Sequence, residues 1–292
     1  MNIMKFRPLF LIISTLLILA SVFSIIFWGF KPSVDFSGGS SWQVSLPSKP
    51  GTENLKEIFT KNQLELLTVS VNQDQYFLKF GNISNDQKEQ LTAALITLDP
   101  GFVDLQFETL GAILGKELMI KTIWAIVLSS ISLLLFIGSR FKDLSFGASA
   151  VLAMFYDALI LVGSFSILGH FFGAEVDALF VTALLTTLSA SVHDTVVTFD
   201  RIRELKSLSF RLDWVELSNK AVSEVIVRSI NNSMTIIFML LALVVLGGAS
   251  TRWFATALLI GVISGTYSSI AVAIPLMLLT KRKKNDENRK SN

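Results

Sequence analysis

Leu188-Ser-Ala-Ser-Val-His-Asp-Thr-Val-Val-Thr-Phe-Asp-Arg-Ile-Arg-Glu204 decides how this chain is read. It closes an apolar run long enough to cross a bilayer, and it carries an ionisable residue, Asp194, within that run. A carboxylate at the centre of a membrane helix costs roughly 2.5 to 3.5 kcal/mol on insertion scales, so it faces a partner or water and marks an ion or proton path. At helical spacing Thr187, Ser191, Asp194, Thr198 and Arg201 share one face. That polar stripe points toward other helices rather than lipid. Arg228, with Asn231, Asn232 and Thr235 after it, opens a second polar helix and is the expected partner of Asp194. The competing reading, an Asp near a helix end that snorkels to water, suits a short side chain poorly.

Composition agrees with a membrane protein. Of 292 residues, 51% are hydrophobic and 16% charged, and the mean hydropathy is +0.59. A soluble globular chain sits near 25% charged. The net charge is only +2, with the basic residues clustered at the ends of apolar runs, which speaks of topology and not of nucleic acid. There are no cysteines, so disulfides and thiolate chemistry are excluded. His170 and His193 have no ligand spacing around them, and neither a metal site nor a cofactor is expected.

In chain order, Lys5 and Arg7 precede the apolar run Leu9 to Gly29. It is long enough to span, no small-residue cleavage site follows, and it is expected to stay as a first helix. Val34-Asp-Phe-Ser-Gly-Gly-Ser-Ser41 then leads into a polar segment. Strands are expected at Ser41 to Leu46, Leu66 to Val71, Gln75 to Phe80 and Phe102 to Phe107. The middle two flank an Asn72-Gln-Asp turn. Helices are expected from Gly51 to about Asn62, and from the capping box Ser84-x-x-Gln87 to about Leu98. The order β-α-β-β-α-β is the ferredoxin-like pattern. This segment has no His, no paired carboxylates on one helix face and no phosphate loop, so a binding or lever domain is expected rather than an enzyme.

Five further spans are expected at Met119–Ser139, Leu144–Leu168, Ala174–Phe199, Ser229–Leu246 and Phe254–Thr280. Basic residues gather at Lys5 and Arg7, at Arg140 and Lys142, across Arg201 to Arg228, and at Lys281 to Lys284. The short loops of opposite parity carry none or only Arg252. Both termini are therefore expected in the cytoplasm and the polar segment outside. Trp28, Trp124 and Trp253 fall near span ends, as aromatic belts do. The fold class expected is a membrane all-α bundle of six transmembrane helices, with one extracytoplasmic α+β (ferredoxin-like) domain between helices 1 and 2. Its divisions are 1–29, 30–118, 119–280 and a basic tail at 281–292. Asp157 is a second carboxylate inside a span, suited equally to an interhelical lock and to proton handling. Gly261-x-x-x-Gly265, with Ser264 and Ser268, gives the last span a small-residue face for close packing.

These passages together resemble the SecD/SecF family of bacterial protein secretion, itself related to the resistance-nodulation-division exporters. Val34-Asp35-Phe-Ser-Gly38-Gly39 is similar to the family's Asp-Phe-Thr-Gly-Gly passage before its external domain. Arg140-Phe141 and Tyr156-Asp157 resemble its basic turn and its acidic position in the third span. His193-Asp194-Thr-Val-Val-Thr-Phe-Asp200-Arg201-Ile-Arg203-Glu204 resembles Asn-Asp-Thr-Val-Val-x-x-Asp-Arg-Ile-Arg-Glu, the most specific of the matches. Gly247-Gly248, Gly261 and Gly265-Thr-Tyr-Ser-Ser269 resemble its closing helices. Three places depart from the pattern. Ser-Ala-Ser-Val-His193 replaces Gly-Tyr-Ser-x-Asn, Leu110-Gly-Ala replaces Gly-Pro, and Asn232-Ser-Met-Thr235 keeps only part of Thr-Ser-x-Thr. His193 could add a titrating group beside Asp194, although it points about 100° away on a helix.

The resemblance implies a multi-pass protein of the bacterial inner membrane, a partner in SecD and the SecYEG channel, and a translocating preprotein as cargo. It implies use of the proton gradient late in export. On that model Asp194 takes up and releases a proton, Arg228 pairs with its charged form, and Asp157 takes part in the relay. Thr187, Ser191, Thr198, Asn231 and Asn232 would line a wet path. Two other classes stand beside it: a passive scaffold in which the Asp–Arg pair is a register lock, and half of a small-molecule exporter. An enzyme is disfavoured, because no Ser-Lys, His-Glu-x-x-His or Gly-x-Ser-x-Gly arrangement is present.

Overall fold

Residues 2–72, 74–141, 143–208 and 212–290 are described by the computed structural model of the protein. Gln73 in the turn, Lys142 and Arg211 in the basic loops, and the last two residues of the basic tail lie outside the described residues.

After a 3-10 turn, Ile3–Phe6, the first long helix is α1, Arg7–Trp28. A one-turn helix α2, Val34–Ser37, leads into β1, Gly39–Ser45. Then follow α3 (Thr52–Lys61), β2 (Leu66–Asn72), β3 (Gln75–Phe80), α4 (Asn85–Leu98) and β4 (Val103–Leu110). The four strands form one antiparallel sheet in the order β2-β3-β1-β4, as the ferredoxin-like pattern requires. Alternation sets its faces: Ser40, Trp42 and Val44 of β1 are buried, while Ser41, Gln43 and Ser45 are half-buried. Trp42 packs with Phe59, Phe80, Leu55, Leu78, Leu91 and Leu95 under α3 and α4. Its indole N–H donates to Asp104 Oδ1 at 2.9 Å. The capping box forms, with Gln87 N on Ser84 Oγ and Ser84 N on Gln87 Oε1.

Asp99 closes α4 and pins the next turn. Its carboxylate accepts from Ser48 N and Gly101 N, each at 2.9 Å, and the Ser48 bond above all holds its pKa below the ordinary value. Its stabilising contribution is therefore present above the unfolded carboxylate range and lost as pH falls through the lowered value. The difference in Tm between the unmodified protein and Asp99→Asn is expected to shrink between pH 6 and pH 3. A constant difference across that window would refute this account.

The remaining helices are α5 (Ala112–Arg140), α6 (Leu144–Phe172), α7 (Ala178–Leu208), α8 (Trp214–Leu246), α9 (Ala249–Ala271) and α10 (Ala273–Lys290). Among the described residues six helical stretches are long and apolar enough to cross a membrane, the last running from α9 into α10. Several helices exceed the expected spans. α5 begins at Ala112 rather than Met119, and α8 at Trp214 rather than Ser229. Hydropathy marks membrane limits, whereas a helix continues until a breaker stops it, and none stands between Trp214 and Ser229. The final span is interrupted at Val272. Pro275, which cannot donate to the carbonyl four residues back, accounts for the break.

α6, α7 and α9 form the inner trio, while α1, α5 and α8 are largely uncovered. Close approaches hold the trio. A Cβ on Gly261 would lie 2.1 Å from Thr187 Cγ2, and one on Gly265 3.3 Å from Ser191 Cβ. The Gly-x-x-x-Gly face thus packs helices, as its spacing predicts. α1 docks on α6 in the same manner: a Cβ on Gly163 would lie 2.3 Å from Ser21 Cβ, and Ser166 Oγ donates to Ser24 O at 2.9 Å.

Candidate functional site

Asp194 lies mid-way along α7 and is half-buried. It borders a cleft of about 670 Å³ between α7, α8 and α9. Thr186, Ser189, Ser191, His193, Asn232, Ser233 and Thr266 supply its other polar lining. Ser229 Oγ on α8 donates to Asp194 Oδ2 at 3.4 Å. A half-buried carboxylate on a cleft can be reached without dismantling the helix packing.

The structure redistributes the predicted residues. Arg228 makes no ion pair with Asp194 among the described residues; its side chain is exposed, and Ser229, the next residue along α8, turns inward instead. One residue is about 100° of helix, enough to swap the facing side chain. Asn232 and Ser191 line the cleft, whereas Asn231 is exposed and outside it. Thr187 is buried against Gly261, and Thr198 donates to the Asp194 carbonyl at 3.0 Å, so neither borders the cleft. His193 does border it, despite its angle from Asp194, because the cleft is wide enough to take both neighbours.

Asp157, mid-way along α6, is buried at 2% exposure. Ser264 Oγ donates to its Oδ1 and Ser268 Oγ to its Oδ2, each at 2.5 Å, and Ser191 Oγ also donates to Oδ2. Three helices meet on one carboxylate. The roles of Ser264 and Ser268 were not legible as partners of Asp157; their i, i+4 spacing on the glycine face was the available signal.

The remaining motif residues are joints. Asp35 Oδ2 accepts from Ala178 N at 3.3 Å and Asp177 Oδ1 accepts from Phe180 N at 2.6 Å, so two carboxylates cap the start of α7. Burial raises the Asp177 pKa; the Phe180 bond opposes this and the charge of Asp35 adds to it. Lys79 of β3 pairs with Glu175 at 2.5 Å, and Ser33 N donates to Val176 O at 3.0 Å. Gly38 (φ +75°) and Gly39 (φ +143°) turn the chain from α2 into β1, and Gly115 of α5 sits so close that a Cβ there would meet Gly38 N at 2.8 Å. At the other end of α7, Asp200 pairs with Arg140 and, at 3.4 Å, with Arg203. Arg201 bridges Glu204 at 2.6 Å and Glu224 of α8 at 2.5 Å. Asp35→Ala is expected to remove one cap, costing about 1 kcal/mol. Hydrogen exchange over residues 178–181 should speed up roughly fivefold; unchanged exchange would show that Asp177 caps alone.

Similarity to known proteins covers most of the chain. The family model for the protein export membrane protein SecD/SecF, C-terminal region, matches residues 90–283. The chain belongs to the SecD/SecF family. It is 34% identical to the protein translocase subunit SecF of Thermobaculum terrenum, over 97% of this chain and 94% of that one. To SecF of Sebaldella termitidis it is also 34% identical, over 100% and 96%. Its fold is similar to the crystal structure of SecDF, a translocon-associated membrane protein from Thermus thermophilus, with a TM-score of 0.86 and 28% identity. That match covers 97% of this chain and 39% of the longer one. Family members of these names are transport proteins, and the six apolar helices make this chain a multi-pass membrane protein.

Proposed function

We propose that this chain is a subunit of the bacterial Sec export machinery that works with SecD beside the SecYEG channel. It uses the proton gradient to draw preproteins out late in export. Both termini lie in the cytoplasm and the α+β domain, residues 30–118, lies on the far side of the inner membrane. The observation that carries this reading is the placing of Asp194 on α7. The carboxylate borders a cleft between α7, α8 and α9 that carries further hydroxyls and an amide, and the same helix is capped at its start by Asp35, next to the turn into the α+β domain. Sixteen residues of helix separate Ala178 from Asp194, about 24 Å. α7 is thus a rod between a protonatable group and the base of the domain.

A proton crossing 100 mV supplies roughly 2.3 kcal/mol, enough to bias a two-state motion by a factor of tens. That suits rectifying the motion of an already threaded chain and is too little to unfold a stable domain in one step. Arg228, exposed on α8 one residue before Ser229, would meet a partner helix or swing toward Asp194 when it is charged. Preprotein export into energised membranes tests the reading, with and without an uncoupler and with Asp194→Asn. Export that ignores the uncoupler in the unmodified protein would refute it and leave the scaffold reading.

A further inference from the structure

A second cavity lies beside the cleft at Asp194 and takes no part in the proposed proton step. It is an apolar groove of about 370 Å³ walled by α1 and α8, with α9 as its floor. Ile226, Ile230 and Ile237 line the α8 wall, Ile263 and Tyr267 the floor, and Ile3 and Phe10 the end nearest the N-terminus. Hydrogen bonds hold the walls in place. The Tyr267 hydroxyl donates to Phe10 O at 3.2 Å and lies 3.1 Å from Ser14 Oγ. Met4 N donates to Asn219 Oδ1 of α8 at 2.9 Å. The other two hydroxyls on the groove, those of Ser233 and Thr266, bond to each other at 2.7 Å. With its hydroxyls already bonded, the groove suits an apolar occupant.

Its dimensions narrow the choice. From Ile226 to Ile237 is eleven residues of helix, about 16 Å. That matches one leaflet, half of a hydrocarbon core about 30 Å thick. Spread over that length, 370 Å³ leaves a channel far too narrow for a helix, which is about 10–12 Å across with its side chains. A single alkyl chain fits it. Ile230 and Ile263 are exposed along its open side, so a lipid can enter sideways from the bilayer.

The N-terminal end of the groove supplies charge. Arg7 stands one turn before Phe10 on the same face of α1. It is half-buried, and Lys5, two residues earlier, is exposed. Among the described residues neither forms an ion pair. The start of α1 has no acidic residue in its first turn and no side-chain cap, so nothing there offsets the positive end of the helix. An anion is therefore favoured where the channel meets the membrane surface. We propose that the groove holds one acyl chain of an anionic phospholipid from the leaflet on the N-terminal side, with its phosphate on Arg7 and Lys5. Lipid tails gain little by leaving other lipid for protein, so the groove sets the position and the two cations set the preference for headgroup. The inference goes beyond the export reading and does not depend on it.

The test uses the purified full-length chain in phosphatidylcholine nanodiscs, doped with phosphatidylglycerol that carries a diazirine on one acyl chain. Photolysis is expected to give one lipid adduct per chain, on residues 226–237 and 263–270. A phosphatidylcholine probe with the same chain should label these residues at least tenfold less. Arg7→Gln should lower labelling by phosphatidylglycerol about fivefold. Ile230→Trp fills the groove from an exposed position, which spares the fold, and should abolish labelling there. Labelling spread evenly over α1, α5 and α8 would mean annular lipid only and overturns the proposal. Equal labelling by the two lipids overturns it too, as does labelling unchanged in Arg7→Gln or in Ile230→Trp. Loss of the groove adducts when SecD is bound would assign the groove to a partner helix and equally overturn it. Failure here leaves gradient-driven export untouched, so the two readings fall separately.

Discussion

Asp194→Asn is expected to reduce gradient-dependent export at least tenfold, to the level of the unmodified protein treated with uncoupler. The change removes a charge and keeps the shape, so the cleft, its lining and the bond from Ser229 can persist. Assembly with the partner subunit should be unchanged by copurification, which separates a lost proton step from a lost complex. A scaffold would behave otherwise: removing a half-buried carboxylate that makes no ion pair among the described residues should leave export within about twofold, since relief of burial offsets a single long hydrogen bond. Asp194→Glu sharpens the distinction. It restores the titrating group at a longer reach, and partial recovery of gradient dependence is expected. Full activity in Asp194→Asn would end the proton reading at this residue and return the function to scaffolding.

The second large effect is structural. Gly261→Val is expected to break the α7–α9 contact and lower Tm by more than any surface change. Even the first added carbon would sit 2.1 Å from Thr187 Cγ2 and 2.5 Å from its Cβ. Thr187 cannot step aside, being β-branched, 4% exposed and bonded to Leu184 O at 2.9 Å. Overpacking of this kind costs typically 1–3 kcal/mol and more where backbones must part. Gly265→Ala, at 3.3 Å from Ser191 Cβ, should be much milder. The check is a double-mutant cycle in thermal stability. Gly261→Ala paired with Thr187→Gly should recover most of the loss, because the clash is between those two residues. Additive losses in the pair would place the damage elsewhere on the helix.

Helix α7 illustrates what could be read in advance. The apolar run through Asp194 and the chain-wide count of basic clusters lead to a polytopic membrane protein, and alternation in β1 with the Ser84–Gln87 box leads to the ferredoxin-like order. These are local signals: periods of two and 3.6, capping pairs, and runs long enough for a bilayer. The tie from Asp35 to the start of α7 was less accessible, since 143 residues separate Asp35 from Ala178. The motif could be noticed but not its contact.

The sequence by itself determined a helical membrane protein with a small antiparallel sheet, the positions of two carboxylates within apolar helices, and the small-residue face of the last span. The tertiary structure alone decided which side chains meet them. Asp194 faces Ser229 rather than Arg228 because the rotation of α8 about its axis follows from packing on α9, and no pattern within α8 specifies it. Asp157 is held by serines 34, 107 and 111 residues away because Gly261 and Gly265 let α7 and α9 approach closely enough to bring both onto α6. Helical periodicity assigns a residue to a face, but only close packing of three helices assigns that face a neighbour.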